Sequence, residues 1–433
     1  MRVFESTAAS FEEEFSAFMA QERGTSVDVS TIVRSIIADV RARGDETLHD
    51  LNLRFDNLDT RQTGLRFTPA EISAAKSECS EKALAALKFA ADRILDYHLR
   101  QVPEDELYTD DQSIRLGSQW RAVGAAGLYV PGGTASYPSS VLMNALAAKA
   151  AGVPRIVMVV PTPKGEVAPL VLAAAELCGI DEVYRVGGAQ AIAALAYGTK
   201  TIRPVDIIVG PGNAYVASAK REVFGQVGID MIAGPSEVLV VADEKNDPDW
   251  IAADLLAQAE HDALAQSILI TTDRAFGTAV SEAVERQLQT LPRADIARSA
   301  WEAFGAIIIV PSLEEALPLV DRIAPEHLEL AFDEADSFAA NVRNAGAIFL
   351  GRHTPEALGD YVAGTNHVLP TEGSARFSSG LSTLTFIKRI TLLGADPKGL
   401  SNLADAALTL AEIEGLEAHG RSISIRTNKG GAK

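Results

Sequence analysis

Cysteine is nearly absent from this chain. Cys79 and Cys178 are the two among 433 residues, and no C-x-x-C pair occurs. That excludes a disulfide scaffold and a cysteine-based zinc cluster, so a bound metal would have to be held by imidazole, carboxylate or amide groups. Cys178, in LAAAELCGI, reads as a small buried hydrophobe. Clustered charge is missing as well. Lys and Arg total 39 against 58 Asp and Glu, a net of −19, with no block of five or more like charges. An acidic chain without a basic patch has no footprint for nucleic acid or an anionic membrane surface, which leaves a small molecule as the expected partner. No apolar run approaches the roughly 18 residues of a membrane span. The opening MRVFESTAASFEEEF is acidic, unlike a secretory signal, so a soluble, cytoplasmic protein is expected. Aromatic residues are few, at 6%, yet hydrophobic residues reach 47%, ample for several buried cores in a chain too long for one.

What is present is alternation. GLYVPGG, RIVMVVPTP, EVYRVGG and DIIVGPG are short β-rich runs, and SSVLMNALAAKAAG, VAPLVLAAAELCG and NAYVASAKREVFG carry helical spacing. This predicts βαβ units around a parallel sheet. YVPGGTA, RVGGAQA and IVGPGNA each pass from strand to helix through glycines, where close backbone approach and free helix N–H groups suit a polar or anionic ligand. No G-x-G-x-x-G occurs there, so tight α/β turns and a nucleotide-binding edge both stand as readings.

A second alternation begins after about residue 240. Asp247-Pro248 starts a helix ending near His261, followed by strand SILITTD, a helical stretch at about 277–304, strand AIIIVPS, helix LEEALPLV and strands HLELAF and AGAIFLG. Residues 30–115 are mainly helical in pattern and can join this second unit, one domain then being split by insertion of the other. Residues 352–382 are irregular and rich in Gly, Thr, Ser, Asn and Pro, as functional loops often are. LSNLADAALTLAEIEGLEAHG reads as one long helix stopped at Gly420.

Three of the seven histidines, His49, His98 and His353, carry no site signal. Gln258 and His261, in AQAEHDA, stand at i and i+3 and can converge from one helix face. An imidazole and a neutral amide suit part of a metal site, and equally a solvated helix end. APEHLEL sets Glu326 beside His327 at the mouth of a strand. Strand neighbours point to opposite faces, but Pro325 permits an irregular start from which both reach one cleft. There the imidazole suits general-base work and the carboxylate can activate water. GDYVAGTNH puts Asp360 and His367 in the irregular segment, and EIEGLEAHG puts Glu414 and His419 near the end of the last helix. His261 and His419 are both expected at helix C-termini, where the dipole favours a cation.

RARGDE, GLYVPGG, VGGAQAIAALAYGT, VGPGNAYV, AGPSEVLVVAD, LLAQAEHD, PEHLEL, AGTNHVLPT and EGLEAH occur in this order over nearly the whole chain. In this the chain resembles the histidinol dehydrogenase family. The resemblance implies a zinc-dependent, NAD-linked oxidation of L-histidinol to L-histidine, the last steps of histidine biosynthesis. It implies one zinc per subunit, with Gln258, His261, Asp360 and His419 as ligands, and Glu326 and His327 as the catalytic pair. Ser236, His367 and Glu414 are the implied substrate contacts, together with Gln258, His261, His327, Asp360 and His419, and Tyr129, Gln190 and Asn213 the NAD contacts. A homodimer is implied, the C-terminal helix of one chain completing the active site of the other.

The fold expected is α/β: two incomplete Rossmann-like parallel-sheet domains, one inserted in the other, with small N- and C-terminal helical extensions used in dimerisation. The limits expected are a helical arm at 1–24, a first α/β domain at 25–125 plus 236–378, a second on the NAD side at 126–235 and a helical dimerisation segment at 379–433. Alcohol to acid is a four-electron oxidation and a nicotinamide takes one hydride, so two NAD+ are used in turn with an aldehyde between. In the implied scheme His327 is the base, Glu326 activates water and zinc anchors the substrate. Three other readings use the same residues: oxidation of a sulfonated diol, a zinc hydrolase, and a non-catalytic small-molecule binder. Glu414 and His367 suit a cationic amine better than a sulfonate.

Overall fold

The computed structural model describes residues 1–21, 23, 29–132 and 137–427. Its strands, in chain order, are β1 (Arg2–Glu5), β2 (Glu106–Thr109), β3 (Ile114–Ala122), β4 (Ala126–Tyr129), β5 (Ile156–Val160), β6 (Glu182–Arg185), β7 (Ile207–Val209), β8 (Gly228–Ile229), β9 (Glu237–Ala242), β10 (Gln266–Thr271), β11 (Ala306–Ile309), β12 (His327–Ala331), β13 (Ala347–Leu350) and β14 (Ile387–Ala395). They form a six-stranded parallel sheet, β1-β11-β10-β9-β12-β13, and a five-stranded parallel sheet, β6-β5-β4-β7-β8. A three-stranded antiparallel sheet, β14-β3-β2, is separate. Two compact units result: residues 1–100 with 124–386, and residues 101–123 with 387–433.

The central strands are continuous apolar runs because both faces of each parallel sheet are covered. In β9, Val238 and Val240 turn toward Ile251, Leu255 and Leu256 of the helix Pro248–Ala259. Leu239 and Val241, one residue out of phase, turn to the other face and meet Phe15, Ile268 and Val320. Asp247 caps that helix by accepting Asp249 N–H at 2.9 Å, with Pro248 at its first position. Among the described residues no helix is long and apolar enough to cross a membrane.

Several elements differ from their sequence pattern. The N-terminal arm is not wholly helical, since β1 pairs with β11 before the helix Phe11–Met19 begins. With only Phe4 of its residues buried, this edge strand is too short to show an alternation. The stretch at 277–304 is two helices, Arg274–Leu288 and Ala294–Phe304, parted around Pro292, which cannot continue a helix from its N–H side. The helix Ser30–Arg43 buries Val33, Ile37 and Val40 in the core of the five-stranded sheet, not the six-stranded one. The spacing of those residues shows that the helix has a buried face but not which sheet receives it. In the C-terminal segment, β14 precedes two helices, Pro397–Ile413 and Glu417–Thr427, where one was expected. Gly415, at φ 68°, ends the first, with Leu416 N–H bonded to Ala411 O at 2.8 Å.

Candidate active site and cation site

The helix Leu313–Ile323 stops at Ala324, which takes a left-handed φ of 51°, and Pro325 then leads directly into Glu326 and His327 at the amino end of β12. Glu237, at the amino end of β9, engages both side chains through its backbone. Its N–H donates to Glu326 Oε2 at 2.9 Å, and its carbonyl accepts from His327 Nδ1 at 2.9 Å. A carbonyl only accepts, so Nδ1 carries the proton and Nε2 the lone pair. That Nε2 is buried, meets no hydrogen-bond partner and lies 4.0 Å from Asp360 Oδ1. Glu326 Oε2 and His327 Nδ1 are 3.7 Å apart, so the irregular start does bring the neighbours into one cleft.

Desolvation dominates the charges here. Burial lowers the His327 pKa to about 4 against the opposing pull of Asp360, so the imidazole is neutral near neutral pH. Burial, then the charge of Asp360, pushes Glu326 well above the usual carboxylate range. Arg23 and a hydrogen bond from the Ser236 hydroxyl act the other way. Arg23 is itself buried and paired with the Glu237 carboxylate, whose Oε1 also accepts Glu372 N–H at 3.2 Å.

Gln258 lies in the last turn of the helix Pro248–Ala259, and His261 follows just past it, its N–H bonded to Gln258 O at 3.1 Å. Asp360 and Glu356 stand one turn apart on the short helix Glu356–Tyr361, inside the irregular segment. One ligand atom each from His261, Glu356 and Asp360 lie within 4.8 Å of one another. The Gln258 side chain is fully buried, yet neither its oxygen nor its nitrogen has a hydrogen-bond partner. An amide left in that state is costly unless another group meets it. An imidazole and two carboxylates converging on one point, with an orphaned buried amide three residues before the imidazole, fit a divalent cation such as zinc.

Glu356 was not foreseen, although the E-x-x-x-D spacing of PEALGD placed it on the same helix face as Asp360. Its Oε2 is 3.7 Å from His327 Nδ1 and otherwise unpartnered, and burial pushes its pKa well above the ordinary range. Its backbone N–H donates to Glu329 Oε1 at 2.6 Å. Glu329 in turn shares a hydrogen bond with Asp254. Burial raises both carboxyls, that of Asp254 to about 6.

His367 holds this arrangement from the other side. Its Nδ1 is 3.0 Å from Asp360 O and its Nε2 is 3.2 Å from Ser140 Oγ, on the first turn of the helix Pro138–Ala150 that follows β4. The amino edge of the six-stranded sheet thereby meets the carboxyl edge of the five-stranded one. A cavity of about 510 Å³, lined by Leu87, Tyr137, Arg293 and Tyr361 among others, opens beside His261. Glu414 and His419 belong to the second compact unit and are exposed. His419 sits in the first turn of the helix Glu417–Thr427, so the C-terminal dipole expected for it does not apply; the earlier helix has already ended at Gly415.

The five-stranded sheet is organised differently. From β4 the chain runs outward to β5 and β6, then returns to the other side of β4 for β7 and β8. This creates a switch point between β4 and β7, where a crevice opens at the carboxyl ends of the strands. Gly210 ends β7 with φ 109°, and a Cβ there would collide with the Tyr129 carbonyl. Asp230 Oδ2 accepts Gly210 N–H at 2.8 Å, and Lys220 Nζ donates to Gly210 O at 3.1 Å, so a buried ion pair braces the turn. Gly132 and Gly187 are glycine for space, since both pack against Pro161. The Tyr129 hydroxyl accepts Gly188 N–H at 3.1 Å, Gln190 is buried, and Asn213 caps the helix Ala214–Val223 through Tyr215 N–H and Val216 N–H at 3.1 and 3.2 Å. Two helix N-termini, at Gly188 and Ala214, thus meet this edge and suit the phosphates of a dinucleotide. Residues 133–136 of YVPGGTAS lie outside the described residues.

Comparison with known proteins gives a consistent picture. The family profile described as Histidinol dehydrogenase matches residues 19–427. The histidinol dehydrogenase of Rhizobium meliloti is 63% identical over 421 residues, 97% of each chain. That of Mesorhizobium japonicum is also 63% identical, over 97% of this chain and 98% of its own. Among solved structures, histidinol dehydrogenase from Elizabethkingia anophelis superposes with a TM-score of 0.95 at 36% identity, covering 99% of this chain and 98% of that one.

Proposed function

The chain belongs to the histidinol dehydrogenase family, and from that premise we propose that it oxidises L-histidinol to L-histidine through bound L-histidinaldehyde, reducing two NAD+ in turn. The observation that carries this reading is His327, a buried neutral imidazole with Nδ1 committed to Glu237 O and Nε2 left open beside Asp360. Nε2 takes the hydroxyl proton as hydride passes to the first NAD+, leaving the aldehyde. Glu326 then removes a proton from water as its oxygen adds to the aldehyde carbon. Once His327 has released its first proton, the gem-diolate loses its remaining hydroxyl proton to His327 and a hydride to the second NAD+, and the carboxylate remains. In sum, one alcohol, one water and two NAD+ become one carboxylate, two NADH and three protons.

Glu326 must be a carboxylate for its step, and burial opposes this. The Glu237 N–H, the Ser236 hydroxyl and the buried Arg23 each favour the ionised form. Gln258, His261, Asp360 and His419 would hold one zinc per subunit, which when bound would supply positive charge to anchor the substrate. Ser236, His367 and Glu414 are the further substrate contacts, and Tyr129, Gln190 and Asn213 border NAD at the carboxyl edge. The partner is a second copy of the chain, each supplying Glu414 and His419 to the other's site, in a cytoplasmic enzyme. Limiting histidinol with excess NAD+ should give about two NADH per histidinol consumed. One NADH with free aldehyde accumulating, or none, would overturn the proposal.

A further inference from the structure

In a sheet of order β6-β5-β4-β7-β8, a dinucleotide with its pyrophosphate at the turn after β4 lays its adenosine half over the carboxyl ends of β5 and β6. Enzymes of this architecture that use NAD generally carry an acidic residue at the end of the second strand, where it bonds the ribose 2′-hydroxyl. Here that strand is β5, and it runs out as Val159-Val160-Pro161-Thr162, with no acid. A carboxylate nevertheless stands there, brought from elsewhere in the chain. Asp56 is the last residue of the helix Asp45–Asp56, and its Oδ2 accepts Thr162 N–H at 3.3 Å. The helix is fixed over this edge by Asn52, whose Nδ2 donates to Arg185 O, at the end of β6, at 2.6 Å. Asp56 lies close enough to the end of β4 for its charge to help raise the pKa of the Tyr129 phenol.

The fold gives this acid little support. Half-buried, it has one hydrogen-bond donor, Thr162 N–H, and no ion-pair partner among the described residues. Burial raises its pKa, so its placement costs stability rather than adding it. The Thr162 hydroxyl beside it is buried and has no hydrogen-bond partner. We propose that Asp56 receives the 2′-hydroxyl of the NAD adenosine ribose and is the residue that selects NAD over NADP. A ribose hydroxyl donates to a carboxylate oxygen, whereas the 2′-phosphate of NADP would set two negative groups against each other. The inference rests on the nucleotide reading given under the proposed function.

The test is direct binding of NAD and of NADP to the zinc-loaded protein, by calorimetry, for the wild type, Asp56→Asn and Asp56→Ala. The wild type should bind NAD at least about tenfold more tightly than NADP. Asp56→Ala should weaken NAD about tenfold and remove most of that preference. Asp56→Asn, of the same shape and still an acceptor, should lose less NAD affinity but narrow the preference similarly. Zinc content and histidinol binding should match the wild type in both, which also shows that they fold. Unchanged NAD affinity and unchanged preference in both variants would overturn the role of Asp56 while leaving the nucleotide reading intact. A wild type that binds no NAD would overturn both.

Discussion

The two parallel sheets present different groups at opposite edges. At the carboxyl edge of the five-stranded sheet the fold gathers backbone groups, glycine turns and two helix N-termini, with the Lys220–Asp230 side-chain pair gripping Gly210. At the amino edge of the six-stranded sheet the groups are side chains, two of them held by the N–H and C=O of one residue, Glu237. A backbone edge offers fixed partial charges that need no proton, which suits holding a ligand. Imidazole and carboxyl groups exchange protons, which suits chemistry, and desolvation holds both in their neutral forms until a charged partner or donor offsets it. Burial there lowers the pKa of His327 and raises that of Glu326, and it raises the neighbouring Glu329 and Glu356 as well.

The strongest challenge to this contrast is a pair of substitutions at neighbouring positions. His327→Ala should lower kcat on histidinol by about 10²–10⁴-fold, because it removes the base from every hydride step. Glu326→Gln should still form the first NADH, seen in a rapid-mixing trace, and then stall at the aldehyde. If both variants slow the first hydride transfer equally, the two residues do not divide the work as proposed.

Metal content sharpens the comparison further. Gln258→Ala and Glu356→Ala should each weaken zinc binding by about 10–100-fold, read as metal retained against a chelator, while NAD binds as before. Full zinc retention in both would mean that the orphaned amide and carboxylate serve something else. At the other edge Gly210→Ala should do the reverse. A side chain at φ 109° against the Tyr129 carbonyl should cost about 1–3 kcal/mol in unfolding experiments and weaken NAD, with zinc retained. Loss of zinc alongside NAD would show that the two edges are not independent.

The smallest effect concerns Asp254, whose pKa is raised to about 6 by burial next to Glu329. A carboxyl raised on folding contributes stability below its unfolded pKa and loses it as pH rises through the folded value. Above that, its buried charge is a cost. Asp254→Asn should therefore gain stability relative to the wild type between about pH 5 and pH 8, by roughly 1–2 kcal/mol after allowance for its partial exposure. A difference from the wild type that is the same at both pH values would mean Asp254 ionises normally.

Much of this was written in local sequence. The apolar runs in SILITTD and RIVMVVPTP announced buried parallel strands, because a strand covered on both faces has no polar side to alternate with. The i, i+3 spacing of Gln258 and His261 and the adjacency of Glu326 and His327 were equally plain, and the ordered motifs placed the chain in its family. Where those groups meet was decided by tertiary structure alone. Glu237 reaches His327 across 90 positions of chain, and Asp56 reaches Thr162 across 106. The same holds for the choice of sheet by the helix Ser30–Arg43 and for the unmet amide of Gln258. Periodicity and capping are set by neighbours within a turn or two. Partners, burial and the resulting pKa shifts depend on which distant surfaces are pressed together, and no local pattern carries that information.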